Sequence, residues 1–332
     1  MSIVAVLGAG AWGTALAIHL AKVGHQVLLW AHSATHAEQL NLVRENKRYL
    51  PNYNLPPNLS VTDNLKEALQ KADSVLVVVP SNAFRDILKQ VSSYKKNKVF
   101  HLAWATKGLE PKSKKLLHEI AEEQLPNSNG FTVLSGPTFA IEVAQGLPTA
   151  IVSASKNEQE ANHWAEQFHH ANFRVYTQTD MVGVEIGGAY KNVIAIATGI
   201  SDGLGMGANA KAAIISRGMA EINRLGIKMG AEPATLMGLA GLGDLVLTCN
   251  DDLSRNRRFG LSLAKGKTIE QVQTEIGQVV EGVKAVKIIN ELASSLKLDL
   301  PIAKQVYKLV EGKVTTKQAV QNLLSRSSKS EG

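Results

Sequence analysis

With 332 residues, 45% of them hydrophobic and 20% charged, the chain has the make-up of an ordinary globular protein and the length for two hydrophobic cores. Its net charge is +7, but the basic residues are dispersed, the clusters at 95–98, 112–115 and 255–258 are short, and aromatics make up 5%, so no nucleic-acid partner is expected. One cysteine, Cys249, excludes an intrachain disulfide and a multi-cysteine zinc site.

Ile3–Leu7 reads as a buried strand that breaks at Gly8-Ala9-Gly10-Ala11-Trp12-Gly13. Only Met1 and Ser2 precede it, and the apolar runs along the chain are too short for a bilayer, so a cytoplasmic protein without membrane insertion is expected. Ala15, Leu16, Ile18, Leu20 and Ala21 then carry a helical period that Gly24-His25 ends, and residues 27–30 form a second strand. Further strands are predicted at 75–79, 99–103, 131–134, 151–154 and 173–176, with a helix over 112–124. Continuous apolar strands of this kind belong to a parallel sheet covered on both faces. After Asp180 the periodicity is almost entirely helical, with glycine breaks at 199–207, 238–243 and 277. The expected fold is therefore an α/β Rossmann-type domain with a parallel sheet over 1–180, the dinucleotide-binding part, followed by an all-α substrate domain over 181–332. Residues 325–332 are expected to be disordered.

Gly8, Gly10 and Gly13 satisfy G-x-G-x-x-G between a strand and a helix, where the turn brings backbone N–H groups to a pyrophosphate. A site restricted to NAD places an acid after the second strand, for the ribose 2′-hydroxyl. Here that stretch is Trp30-Ala31-His32-Ser33, and the first acid is Glu38. His32 is either a donor to a 2′-phosphate or a solvated residue at a strand end; the first reading admits NADP(H) as well as NAD(H).

Two lysines are candidates for chemistry on a phosphorylated alcohol. Lys107 follows the 99–103 strand, at the sheet edge where open α/β folds bind ligands. Lys191 lies in a segment, 184–200, otherwise rich in Gly, Ala, Val and Ile, where burying a lysine is costly without a job or a partner. Desolvation and a second cation would each lower its proton affinity and suit it to acid–base work. Solvated positions, on a loop and a helix edge, remain the alternatives for both. Asn192 is a polar neighbour, Asp244 sits between glycines, and Arg255 offers a guanidinium fork to a phosphate. No H-E-x-x-H, P-loop or cysteine ligand set occurs, so no metal is expected.

The chain resembles the bacterial NAD(P)-dependent glycerol-3-phosphate dehydrogenase family along essentially its whole length. The resemblance rests on Gly8-Ala9-Gly10-Ala11-Trp12-Gly13-Thr14-Ala15, Trp104-Ala105-Thr106-Lys107-Gly108-Leu109, Ser135-Gly136-Pro137-Thr138-Phe139-Ala140, Gly187-Gly188-Ala189-Tyr190-Lys191-Asn192-Val193, Gly241-Leu242-Gly243-Asp244-Leu245, Ser254-Arg255-Asn256-Arg257-Arg258-Phe259-Gly260 and Gln278-Val279-Val280-Glu281-Gly282, in the family's order. It implies the interconversion of sn-glycerol 3-phosphate and dihydroxyacetone phosphate with NAD(H) or NADP(H), a homodimer, and a supply of glycerol 3-phosphate for phospholipid synthesis. Under it Lys191 is similar to the proton acceptor, and Lys107 to a residue touching substrate and cofactor. Gly136, Thr138, Asp244, Ser254, Arg255 and Asn256 match substrate positions. Ala11, Trp12, His32, Ala140, Arg255, Val279 and Glu281 match cofactor positions. Ala11 stands where many relatives have Ser, which removes one hydroxyl contact. Other dehydrogenases of this architecture, acting on 6-phosphogluconate or 3-hydroxyacids, and a non-catalytic nucleotide sensor are the competing readings; the Ser254-Arg255-Asn256 and Gly243-Asp244 segments speak against them.

Overall fold

Ile3–Leu7 forms strand β1, and its side chains from Val4 to Leu7 are buried because both faces of the sheet are covered. The structure is a computed structural model that describes residues 2–95, 99–128 and 130–326. The basic run at 96–98 and residues 327–332 of the expected disordered tail lie outside the described residues. The chain divides into two compact units, Met1–Glu185 and Ile186–Gly332.

In the first unit, α1 (Ala11–Val23) follows β1 and leads to β2 (Gln26–Trp30) and α2 (Ala34–Val43). A hairpin of β3 (Glu45–Asn46) and β4 (Leu50–Asn54) comes next, then β5 (Leu59–Thr62), α3 (Leu65–Lys71), β6 (Ser74–Val77), α4 (Ser81–Tyr94) and β7 (His101–Trp104). The unit is completed by α5 (Leu117–Gln124), β8 (Thr132–Ser135), α6 (Ala140–Gln145), β9 (Thr149–Ala154), α7 (Glu158–Phe168) and β10 (Phe173–Gln178). One sheet runs β10-β9-β8-β7-β6-β1-β2-β5. Helix α1 buries every residue from Gly13 to Ala21, as a helix that is apolar all round must, and Gly24 ends it at φ 114°.

The sheet departs from the all-parallel expectation at one place. The six strands from β5 to β8 are parallel, but β9 pairs with β8 antiparallel, and β10 then runs parallel to β9. The connection from β8 holds only the short helix α6, which packs on α1 and ends at Gly146 with φ 83°, so the chain turns back beside β8. The helix expected over 112–124 starts only at Leu117. Lys114 takes φ 63°, and the Lys114 amide closes a turn on the Glu110 carbonyl. The Glu110 carboxylate is held by Arg85, whose guanidinium keeps it well below the usual carboxylate range, at about 2.

Among its described residues the second unit consists of helices and the turns between them, with no strand. Helix α8 (Met181–Gly203) enters it from the first unit and is followed by α9 (Gly207–Lys228), α10 (Pro233–Leu236), a π-helical turn at Leu239–Gly243, and α11 (Asp244–Asn250). Then come α12 (Arg255–Ala264), α13 (Ile269–Ile276), α14 (Glu281–Ser295), α15 (Pro301–Val310) and α16 (Thr316–Leu324). Gly199 does not break α8 as its composition suggests. A Cβ there would lie 2.1 Å from the Arg257 carbonyl oxygen, and one on Gly260 would lie 2.1 Å from that of Ile196. These glycines let α8 and α12 meet backbone to backbone. Gly238 and Gly243 likewise frame a π turn that continues into α11 rather than a loop. Glu221, buried, accepts from the Ile302 and Ala303 amides at the start of α15 and from the Tyr190 hydroxyl. Among the described residues no helix is long and apolar enough to cross a membrane.

Candidate active site

In the first unit the strand order reverses at β1, which lies between β6 and β2, and the glycine turn opens at that crevice. Gly8, at φ 126°, has its Cβ position 2.7 Å from the Val78 carbonyl oxygen, and Gly13 has its own 1.9 Å from the Gly8 carbonyl oxygen. Both are glycine because protein fills the space. Gly10 is different: a Cβ there meets nothing within 4 Å, so the fold itself sets no bar to a side chain. No side chain caps α1, whose first N–H groups face this space, and the buried Trp12 indole N–H has no partner among the described residues. Open room and uncapped amides are what a dinucleotide pyrophosphate requires.

The other candidates of this unit lie along the same edge. Lys107, half-buried, donates to the Gly136 carbonyl at 3.3 Å, and the Thr138 hydroxyl donates to the same oxygen at 3.1 Å. Gly136 is closed in by β9, with its Cβ position 2.9 Å from Ile151 Cα. The loop carrying Lys107 is tied to the one after β6 by the Thr106 hydroxyl, which donates to the Val79 carbonyl at 2.7 Å. Ala140 is the first residue of α6. His32 is exposed just past the end of β2, its ring edge-on to Trp30.

In the second unit Lys191 on α8 is buried and its Nζ bonds Asp244 Oδ1 at the start of α11. Asp244 is wholly buried, and Thr248, one turn on, donates its hydroxyl to the Asp244 carbonyl at 2.6 Å. The sequence suggested only influences that favour the free amine of Lys191. The structure adds an opposing one, since a contacting carboxylate favours the ammonium form. Asn256 on α12 donates to Asn192 Oδ1 at 2.8 Å and accepts from the Gly282 amide at 2.9 Å, joining α8, α12 and α14. Ser254 caps α12 through the Arg257 amide, and Arg255 donates to Gln278 Oε1 at 3.0 Å. Arg255 is thereby tied to the segment that continues through Val279, which is exposed, to Glu281, the first residue of α14. Cys249 is buried on α11, and burial pushes its thiol up to about 12. Among the described residues no group of three or more His, Cys, Asp or Glu is placed to hold a metal ion.

Several participants escaped the sequence reading. Asn46 is wholly buried and donates to the Ala9 carbonyl at 3.0 Å and to Thr14 Oγ1 at 2.7 Å, so the hairpin is fixed to the glycine turn. Nothing local marks an asparagine for that role. Thr248 carried a legible sign, its helical spacing from Asp244. A buried cluster also supports β7: Glu185 accepts from the Trp104 indole at 3.0 Å and pairs with His118 Nδ1 at 2.7 Å. Burial raises the Glu185 carboxyl, and its contact with that carboxylate raises the His118 imidazole against its own burial.

A glycine turn at the reversal point of a mainly parallel sheet, with a buried lysine–aspartate pair in a helical second unit, defines the class of NAD(P)-dependent dehydrogenases. Residues 3–161 match the family model of the NAD-dependent glycerol-3-phosphate dehydrogenase N-terminus, and residues 180–321 match that of its C-terminus. The chain belongs to the NAD-dependent glycerol-3-phosphate dehydrogenase family. It is 58% identical over 331 residues to the glycerol-3-phosphate dehydrogenase (NAD(P)+) of Hydrogenovibrio crunogenus, covering 99% of this chain and 96% of that protein. Against the enzyme of the same name from Colwellia psychrerythraea the identity is 50% over 329 residues, covering 99% and 98%. The crystal structure of glycerol-3-phosphate dehydrogenase from Coxiella burnetii matches with a TM-score of 0.95 and 45% identity, over 98% of this chain and 99% of that one.

Proposed function

We propose that the chain interconverts sn-glycerol 3-phosphate and dihydroxyacetone phosphate with NAD(H) or NADP(H), and that it works in the cytoplasm as a homodimer, reducing the ketone to supply glycerol 3-phosphate for phospholipid synthesis. The observation that carries the reading is the buried Lys191–Asp244 pair in a chain 58% identical to a named enzyme of this activity along nearly its full length. In this reading the first unit binds the dinucleotide and the helical unit carries the acid–base group.

The nicotinamide, when bound, supplies or accepts the hydride at the carbinol carbon. The protein's share is the proton and the charge. Reduction of the ketone needs an acid at the new oxygen, and Lys191, paired with Asp244, is the group assigned to that step. Oxidation needs the reverse: the lysine amine takes the hydroxyl proton as the carbonyl forms. Arg255, kept in place by Gln278, presents its fork to the phosphate, with Ser254 and Asn256 beside it on the same turn. Lys107, with Gly136 and Thr138, contacts substrate, and Lys107 also touches cofactor. Gly8, Gly10, Ala11, Trp12 and Gly13 take the pyrophosphate, and His32, Ala140, Arg255, Val279 and Glu281 complete the cofactor contacts.

The test is steady-state turnover of dihydroxyacetone phosphate with NADPH and NADH in turn, followed by loss of reduced-nicotinamide absorbance. Unphosphorylated dihydroxyacetone should give a kcat/KM at least ~100-fold lower, since charge-assisted bonds to the phosphate are worth about 1.5–3 kcal/mol each. Equal values for the two ketones would overturn the assignment.

A further inference from the structure

The hairpin of β3 and β4 brings a second set of side chains to the adenosine end of the dinucleotide site. Its tip reads Lys47-Arg48-Tyr49. It stands beside the glycine turn through two struts that end on one atom. Asn46 reaches the Ala9 carbonyl from the hairpin, and His36, in the first turn of α2, places Nε2 3.3 Å from the same oxygen. The His36 ring meets Tyr49 edge-on at 5.4 Å between centroids, and the Arg48 guanidinium carbon lies 5.1 Å from the Tyr49 centroid. A continuous line of contacts thus runs from the pyrophosphate turn to an exposed arginine.

In a dinucleotide fold the adenosine ribose rests at the end of the second strand, with an acid there for the free 2′-hydroxyl or an arginine nearby for a 2′-phosphate. Here the strand is followed by Ala31-His32-Ser33, without an acid. The acids near this end are Glu38 on α2, Glu45 in the hairpin and Asp63 just past β5. Of these, the Glu45 carboxylate accepts from the Asn52 amide at 2.8 Å. A guanidinium, unlike an imidazole, keeps its charge across the physiological range, and its planar fork matches phosphate oxygens.

We propose that Arg48, carried on the Tyr49 ring at the tip of the β3–β4 hairpin, binds the 2′-phosphate of NADP(H) and so sets the choice between NADP(H) and NAD(H). The proposal rests on the dinucleotide reading of the glycine turn and deepens it. Tyr49 is a platform that limits the wandering of a long side chain, and Asn46 and His36 fix that platform to the turn. The shared Ala9 oxygen means that the pyrophosphate and the 2′-phosphate sites move as one piece.

The experiment measures binding, not turnover. Affinities for NADPH, NADH, adenosine 2′,5′-bisphosphate and 5′-AMP are taken by calorimetry for the wild type, Arg48→Ala and Arg48→Lys. Arg48→Ala should weaken NADPH and the bisphosphate by about tenfold or more, the worth of one charge-assisted contact, and leave NADH and 5′-AMP within about twofold. Arg48→Lys keeps the charge and loses the fork, so it should fall between. Raising the salt should erode the wild type's preference for the 2′-phosphorylated ligands more than that of Arg48→Ala. Equal weakening of NADPH and NADH would make the hairpin merely structural and overturn the proposal, as would unchanged affinities for all four ligands. A wild type that bound neither dinucleotide would overturn the nucleotide reading itself, and the proposal with it.

Discussion

Gly10 and Gly13 are three residues apart in one motif, yet the structure gives them opposite reasons to be glycine, and alanine at each should separate the reasons. At Gly13 the added Cβ would lie 1.9 Å from the Gly8 carbonyl oxygen, where real Cβ atoms do not come within 3.0 Å. The obstacle is backbone, so no rotamer relieves it, and the cost belongs at or above the upper end of the usual overpacking range, about 3 kcal/mol. At roughly 2–4 °C per kcal/mol for a domain of this size, Gly13→Ala should lower the thermal midpoint by roughly 6–12 °C. At Gly10 a Cβ meets nothing within 4 Å, and the backbone there, φ −77° and ψ −176°, suits any residue. Gly10→Ala should therefore stay within about 3 °C of the wild type. Its methyl group instead occupies the space before the α1 amides. One or two lost charge-assisted bonds there should weaken NADPH by roughly 10- to 100-fold. Circular dichroism melts and tryptophan-fluorescence titrations of both variants make the comparison. A Gly10→Ala protein as unstable as Gly13→Ala, or one that binds NADPH as tightly as the wild type, would refute the reasoning.

Two further outcomes are expected. Lys191→Met should lower kcat by roughly 10²–10⁴ while cofactor binding survives, and Lys191→Arg should fail nearly as badly because it cannot surrender its proton. Lys191→Met also removes the ion-pair partner of the wholly buried Asp244, so it should lower stability, and adding Asp244→Asn should recover part of that loss without restoring rate; retention of more than about a tenth of kcat would move the proton to another group. The first unit should lose stability in acid, because burial lowers the His19 imidazole from 6.5 to about 4, and His163 likewise. Unfolded chains take up these protons as pH falls through 6.5 and the folded protein does not until about 4, so the stabilisation is present above 6.5 and lost on the way down. His19→Gln should flatten the dependence of the melting temperature on pH across that window, and an unchanged slope would mean that His19 protonates without cost.

What the sequence made legible was whatever lies close together in the chain. β1, the glycine turn, α1 and β2 are consecutive and each carries its own signal, so their order could be read directly. Lys191 stood out because one charge interrupts an apolar helix. Its partner, Asp244, was visible only as a separate motif, since nothing local records that π turn and helix bring it back to α8. Gly199 was misread for the same reason. A glycine that ends a helix and one that admits a neighbouring backbone look alike until the neighbour, here Arg257, is in place. The hairpin and β5 were missed because their strands are two to five residues long, with no sustained alternation of polar and apolar positions. Asn46 acts on residues 32 and 37 positions earlier, beyond any pattern a window can hold.

Cys249 gives the helical unit an internal reporter. Alkylating reagents attack the thiolate, and a thiol pushed up to about 12 inside a closed helix offers almost none of it at neutral pH. The folded enzyme should thus be inert to iodoacetamide and to mild peroxide at this sulfur, and the lone thiol should react only in molecules whose α11 has opened. Because the chain has no second cysteine, every labelled molecule reports on this helix. The labelling rate, set against that of the unfolded chain, therefore measures the free energy that keeps the helix bearing Asp244 shut, without any engineered probe.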